Sequence, residues 1–342
     1  MSITSFYFLA LVTVGVLVYY VVPKSIQWMI LLVLSAVFYY FAATPCTIGY
    51  LVVSTMIAYL STMWIQKKRD ALGREAKGLL VVTFVALAVN IAIWFFVKGR
   101  GLWVPFASRL TAWRDVSVLD SLVNWKIAAS LGMGYYTLQV MGYIIDCYWE
   151  NITPQKNPLK LFLFVCYFPQ LTTGPISRYT QLNTLYSPHR FEYRNLAFGS
   201  QRILWGFMKK IVLAERVGMI VSAINADPGT YTGFYSWIAI LLYPLQMYAD
   251  FSGCMDIVLG VSELFGIPLA ENFNNPFFSR SSQEFWQRWH ITLGTWAKDY
   301  VLYPLLKSKS MVNFGKVARK KYGKKTGKFI GMFVISASSC PI

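Results

Sequence analysis

Apolar and polar positions fall in long blocks along this chain rather than in short periods. Four apolar blocks come first, Phe6 to Val22, Ile26 to Ala43, Ile48 to Ile65 and Leu79 to Val97, each near the roughly 20 residues a helix needs to cross a bilayer core. They end at Pro23-Lys24, at Thr44-Pro45 and at the charged run Lys67 to Lys77. The pattern predicts four simple spanning helices. No Lys or Arg precedes the first block, and Val21-Val22-Pro23 is a poor cleavage site, so it reads as an uncleaved span rather than a secretion signal.

The pattern then changes. From Lys98 to Lys126, Arg100, Arg109, Arg114, Asp115 and Asp120 alternate with Trp103, Phe106, Trp113 and Leu119, a mixture suited to a helix lying in the membrane interface. Later apolar blocks carry polar groups. Ile127 to Trp149 holds Gln139 and Asp146, Leu159 to Leu171 is short and broken by Pro169, and Leu196 to Ile224 carries Arg202, Lys209, Lys210, Glu215 and Arg216. A charge at the centre of a spanning helix costs about 2.5–3.5 kcal/mol on insertion scales, so such helices should line a protein interior. Tyr235 to Phe265 contains Pro244, Asp250, Gly253 and Asp256, which are expected to break or bend it near mid-membrane, where non-helical backbone needs a polar cavity. No internal repeat is visible, and the chain is read as a single membrane-embedded domain over residues 1–342, with its spans in 1–98.

Composition agrees with the pattern. Hydrophobic residues make up 56% of 342 and charged residues 14%, with a mean hydropathy of +0.45, too few charges to cover a soluble domain of this size. The net charge of +17 sits in connections between apolar blocks and accompanies no groove-entering motif, so nucleic acid is not an expected partner. One basic cluster is Lys67, Lys68, Arg69, Arg74 and Lys77; another runs from Lys307 to Lys328, and no acidic residue follows Asp299. Such loops stay in the cytoplasm beside anionic headgroups, which predicts an outward-facing N-terminus in a plasma (inner) membrane. Cys46, Cys147, Cys166, Cys254 and Cys340 form no C-x-x-C pair, so packing is their expected role and no metal site is read.

The densest chemistry lies in Asn272 to Leu306, NFNNPFFSRSSQEFWQRWHITLGTWAKDYVLYPLL. Ser281 and Glu284 have capping-box spacing, which predicts a helix starting near Ser282. Continued as one helix, it sets Phe285, Trp289, Leu293 and Trp296 on one face and Trp286, His290 and Gly294 on the adjacent stripe, with Glu284 and Arg288 as an i,i+4 pair. An imidazole beside indoles and a glycine can accept and return a proton at cellular pH.

The run FWQRWHITLGTWAKDYVLYPL resembles the signature of the membrane-bound O-acyltransferases, with the alginate O-acetyltransferase-like branch the nearest in pattern. Three more stretches support the resemblance: SLGMGYYTLQVMGYIIDCYW (Ser130 to Trp149), YFPQLTTGPISRY (Tyr167 to Tyr179) and YPLQMYADFSGCMDIVLGVSELFGIPLAENFNNPF (Tyr243 to Phe277). It implies an all-α polytopic fold, a ring of transmembrane helices around a tunnel with interfacial and re-entrant helices, whose family core would be residues 127–342. It also implies a short acyl group, acetyl, moving from a cytosolic thioester, acetyl-CoA or an acyl carrier, to a hydroxyl of an exported or cell-envelope polysaccharide, with no bound cofactor. Related systems often require a partner protein outside the membrane. On this reading His290 is catalytic, and Trp286, Arg288, Trp289, Asp250, Asp256, Asp299 and Asn272 line the tunnel or support it. Family members usually continue into further spans bearing a second histidine in a Trp-His-Gly-like setting. Phe329 to Ile335 starts an apolar segment that stops at Ile342, and His189, in SPHRFEYR, matches no such motif; the expectation is a chain incomplete at its C-terminus.

Other readings stay open at this point. His290 can be a structural imidazole, and Asp146, Asp250 and Asp256 can be buried ion-pair or hydrogen-bond partners that fix helix orientation. Asp299 and Arg288 fit anchors at the cytoplasmic face, and the tryptophans fit interfacial anchors. At the level of function the alternatives are D-alanyl transfer toward teichoic acid, a membrane transporter, and a non-catalytic remnant.

Overall fold

The computed structural model describes residues 2–44, 47–73, 78–105, 131–227, 229–308, 311–313, 317 and 320. Cys46, Cys340, Arg74, Lys77, residues 106–126 of the expected interfacial helix, most of the second basic cluster and the segment from Phe329 lie outside them. Among the described residues the chain is all-helical, with one isolated antiparallel bridge between Phe273 and Trp289. Its contacts group it into two compact units, Met1–Ala270 and Glu271–Ile342.

The first unit opens with α1 (Phe6–Val21), α2 (Gln27–Ala42), α3 (Ile48–Leu72) and α4 (Leu79–Lys98). α3 and α4, and α2 together with its 3-10 lead-in from Lys24, are long and apolar enough to cross a membrane. α1 is equally apolar but has 16 residues, about 24 Å of helix against a core of roughly 30 Å. Its start is set by Ser5, whose hydroxyl accepts the Phe8 N–H at 3.3 Å. One expected boundary moves. The charged run does not end α3 at Ile65; the helix continues through Lys67, Lys68 and Arg69 and stops at Gly73, whose φ of +80° suits glycine. The extension has a use. Arg69 donates to the carbonyls of Cys147 (3.1 Å) and Tyr148 (2.7 Å) and pairs with Glu150 at 3.2 Å, so a cation closes the negative C-terminal end of α5 (Met133–Tyr148).

After α5 come the short α6 (Pro158–Cys166), α7 (Tyr193–Phe207), a π-helical turn over Met208–Ala214, α8 (Glu215–Ala226) and α9 (Phe234–Leu264). Aromatic rings knit the core. Phe8 meets Phe38 and Phe168 edge-on at 5.7 and 6.3 Å, and Phe168 and Tyr19 both meet Phe265 edge-on, at 6.0 and 5.2 Å. These contacts tie α1 and α2 to the turn after α6 and to the end of α9. His189 is docked on the first helices: Gln27 reads its backbone at both atoms, taking its N–H (2.8 Å) and donating to its carbonyl (3.0 Å), and its Nδ1 lies 2.8 Å from the Tyr19 hydroxyl.

α9 corrects a second expectation. It runs unbroken for 31 residues with Pro244 inside it. Gly253, expected to break or bend the helix, serves close approach instead, as does Gly260. A Cβ on Gly253 would sit 2.9 Å from the Gly206 carbonyl, and one on Gly260 would sit 2.7 Å from the Gly199 carbonyl; the reverse contacts are equally tight. Two pairs, one near each end of a shared seam, bring the backbones of α7 and α9 together.

The second unit contains α10 (Ser282–Arg288), α11 (Ile291–Ala297), a π-helical turn over Lys298–Leu302 and α12 (Tyr303–Lys307). Each helix is too short to span a bilayer.

Candidate active site

α10 starts where its capping pattern predicts. The Ser281 hydroxyl accepts the Glu284 N–H at 3.2 Å, while Glu284 accepts from the Arg280 N–H at 2.8 Å and from Arg288 at 2.6 Å. The continuation differs from the expected single helix. It breaks at Trp289, which is extended, and at His290, whose φ of 44° and ψ of 54° lie in the left-handed region. That conformation costs a non-glycine residue about 1–2 kcal/mol. The offsetting interactions come from a segment 18 residues upstream. Phe273 bridges Trp289, and the Asn274 N–H donates to the Arg288 carbonyl at 3.0 Å.

Asn272 then caps α11 from outside it. Its backbone carbonyl accepts the Ile291 N–H at 3.0 Å, and its Oδ1 accepts the Thr292 N–H at 2.9 Å and the Thr292 hydroxyl at 2.6 Å. Thus the first two N–H groups of the helix, which have no partner within it, are satisfied by one side chain and its own carbonyl. The next two, of Leu293 and Gly294, donate to the His290 carbonyl. Asn272 is 1% exposed, as such a clamp requires if water is not to compete.

The imidazole of His290 is partly buried, with Nδ1 3.4 Å from Asn272 Oδ1. Burial pushes its pKa down to about 4, because desolvation penalises the charged form of the ring. The ring is therefore neutral at cellular pH.

The break also rearranges the expected stripes. Trp289 stacks on Phe285 at 5.6 Å and meets Phe273 edge-on at 5.2 Å, so it holds the hairpin between the upstream segment and α10. Trp286 is 58% exposed and meets Phe285 edge-on. Gly294 faces the Trp286 carbonyl, 3.8 Å from where a Cβ would be, rather than the imidazole. Arg288 pairs with Glu284 on α10, as the spacing predicts, and Asp299 lies in the π-helical turn that follows α11. Thr292 was not singled out from sequence; its partner is remote in the chain, and no local pattern marks it.

Asp250 and Asp256 belong to the first unit, on α9. Asp256 is bound by Arg202 at 3.1 Å and also by Lys209, and Asp250 by Lys210 at 2.5 Å. Asp250 and Asp256 of α9 are thus matched by Arg202, Lys209 and Lys210 beside the glycine seam. Asp146, at the end of α5, accepts from Asn151 at 3.0 Å. Cys147, Cys166 and Cys254 are buried free thiols.

Residues 154–319, a span that includes Asn272, His290 and Thr292, match the membrane-bound O-acyltransferase family, MBOAT. The probable alginate O-acetylase AlgI of Pseudomonas putida is 29% identical over 287 residues, covering 84% of this chain and 57% of the relative. The peptidoglycan O-acetyltransferase of Helicobacter pylori is 32% identical over 203 residues, 51% of this chain and 38% of the relative. The teichoic acid D-alanyltransferase of Streptococcus thermophilus is 27% identical over 266 residues, 67% of this chain and 63% of the relative. The chain spans little more than half the length of the alginate relative it matches. Over residues 154–319, about half of its length, the chain matches the membrane-bound O-acyltransferase family, and its apolar helices long enough to cross a membrane agree with that match.

Proposed function

We propose that the protein is an O-acyltransferase of the plasma (inner) membrane that moves an acetyl group from a cytosolic thioester to a hydroxyl of an exported or cell-envelope polysaccharide. The observation that carries this reading is a neutral, partly buried imidazole at position 290, fixed at a helix break by Asn272, inside the region that matches the family. Relatives named as an alginate O-acetylase and a peptidoglycan O-acetyltransferase support acetyl as the group and a polysaccharide as the acceptor.

In this mechanism His290 accepts the proton of the acceptor hydroxyl as its oxygen attacks the thioester carbonyl. The tetrahedral intermediate collapses with loss of the thiol, which leaves with the proton returned by the ring, and the products are an ester and a free thiol. A base with a pKa near 4 is always in the accepting form at neutral pH but has little intrinsic pull on an alcohol proton, so transfer must accompany C–O bond formation rather than precede it. No covalent acyl-enzyme is needed. The donor is acetyl-CoA or an acyl carrier on the cytoplasmic side, and an extracytoplasmic protein completes delivery to the polymer.

The test supplies membranes containing the protein with labelled acetyl-CoA, or with a D-alanyl carrier, and follows label into polymer. Acetyl incorporation that falls at least 100-fold in His290→Asn supports the reading. Asparagine is the informative replacement because it tolerates the left-handed backbone. D-alanyl incorporation alone would replace acetyl with the second acyl group, and unchanged acetyl transfer in the variant would remove His290 from the chemistry.

A further inference from the structure

We propose that Asn272 is the positioning residue that decides which nitrogen of His290 acts as the base, holding the proton on Nδ1 and presenting the lone pair on Nε2. This rests on the acyl-transfer reading for its use, but not for its geometry.

The argument begins with the amide. The Asn272 side-chain atom facing α11 is 2.9 Å from the Thr292 main-chain nitrogen. That nitrogen carries a hydrogen and can only donate, so the facing atom must be the amide oxygen; with the amide turned over, two N–H groups would oppose each other. The Thr292 hydroxyl, at 2.6 Å from the same atom, is consistent as a second donor.

His290 Nδ1 approaches this same oxygen at 3.4 Å. A ring nitrogen facing an oxygen that only accepts is attracted when it bears a proton and repelled when it bears a lone pair. A neutral imidazole has one proton to place. With it on Nδ1, the basic site is Nε2, at the opposite edge of the ring.

The backbone enforces the pairing. The Asn272 carbonyl holds the Ile291 N–H at 3.0 Å, and Phe273 bridges Trp289. Residues 272 and 273 are therefore tied to the positions on either side of His290, and Asn272 is 1% exposed. A shared acceptor also explains why the Nδ1 contact is longer than its neighbours: Oδ1 has two lone pairs and three donors.

Asn272→Asp separates positioning from simple support. A carboxylate still accepts from Thr292, so the cap survives, but a negative charge beside Nδ1 favours the imidazolium. The charged groups of the neighbouring elements, Glu284 and Arg288 of α10 and Lys298 and Asp299 after α11, are the same in both proteins and cancel in the comparison. In ring-¹⁵N-histidine-labelled protein in detergent, with His189→Asn used to assign the two imidazoles, the parent should show a pyrrole-type Nδ1 and a pyridine-type Nε2 at position 290. In Asn272→Asp the ring should titrate about one to three pH units higher.

A pyridine-type Nδ1 in the parent would overturn the proposal, as would identical titration of the parent and Asn272→Asp when circular dichroism shows both folded. Where acyl transfer is measurable, the acid limb of its pH profile should rise by the same interval in Asn272→Asp. The expected tautomer in a protein with no acyl transfer would uphold the positioning and remove only the enzymatic reading.

Discussion

Two regions of this molecule solve opposite problems with polar residues among apolar ones. Along α7 and α9, charges and glycines sit within helices that stay continuous: Gly199 meets Gly260, Gly206 meets Gly253, and Asp256 is held by Arg202 and Lys209. Around His290 the helix gives way, and the backbone groups released by the break are taken up by Asn272 from a distant segment. The first arrangement brings two helix backbones into close contact. The second spends conformational energy to aim one side chain. Strain of this kind persists only where the surroundings over-determine it, and among the described residues the other non-glycine left-handed positions are Glu150 and Asn275.

The comparison is broken most severely at the seam. Gly260→Leu places a branched side chain where even a Cβ would lie 2.7 Å from the Gly199 carbonyl, against backbone that cannot rotate aside. The expected outcome is loss of about 3 kcal/mol or more, seen as a large drop in thermal stability in detergent or failure to accumulate. Gly134→Leu, at a position with no described residue within 4 Å of a Cβ, should be mild in the same assay. Asp256→Asn comes next. It leaves Arg202 and Lys209, both largely shielded, facing each other without their shared anion, at a cost of about 2–3 kcal/mol. Stability that matched the parent would mean that the charges are solvated and the pairing incidental.

How much of this could be read from sequence divides along the same line. The apolar blocks announced α1 to α4, because length and hydropathy are local properties. The Ser281–Glu284 spacing announced the start of α10 for the same reason. Gly253 was read as breaking or bending its helix because a glycine's local propensity is visible whereas the partner backbone that needs it, on α7, is not. α3 outran its expected end because Arg69 finds carbonyls of α5, another non-local partner. His290 was named as the candidate base, yet its helix was drawn straight through it. No glycine or proline marks the break, which is imposed by hydrogen bonds from Asn272 some 18 residues away. Asn272 itself was named, but Thr292, its principal donor, was missed.

Acid sharpens the comparison more gently. His189 and His290 both have pKa values lowered by burial, so each is more readily charged in the unfolded chain, where the value is about 6.5. Their contribution to stability is complete above that value and is lost as pH falls from about 6.5 through the folded-state values. The thermal midpoint should decline on acidification over this window. His290→Asn, by removing the more depressed group, should flatten the part of the decline nearest pH 4, and an unchanged profile would mean that water already reaches the ring.

The smallest effect is the most discriminating. Thr292→Val keeps the shape and the main-chain N–H that donates to Asn272, but deletes the hydroxyl that occupies Oδ1 at 2.6 Å. Loss of one buried hydrogen bond costs about 1 kcal/mol, detectable as a modest fall in the thermal midpoint. If Thr292 and His290 compete for that oxygen, its removal lets Nδ1 draw closer than 3.4 Å, and the Nδ1 proton should exchange with solvent more slowly than in the parent. If the asparagine served only to cap the helix, Thr292→Val would lower stability and leave the imidazole untouched. The two readings of one clamp thus part on a measurement made at the ring, in a variant whose change lies two residues away from it.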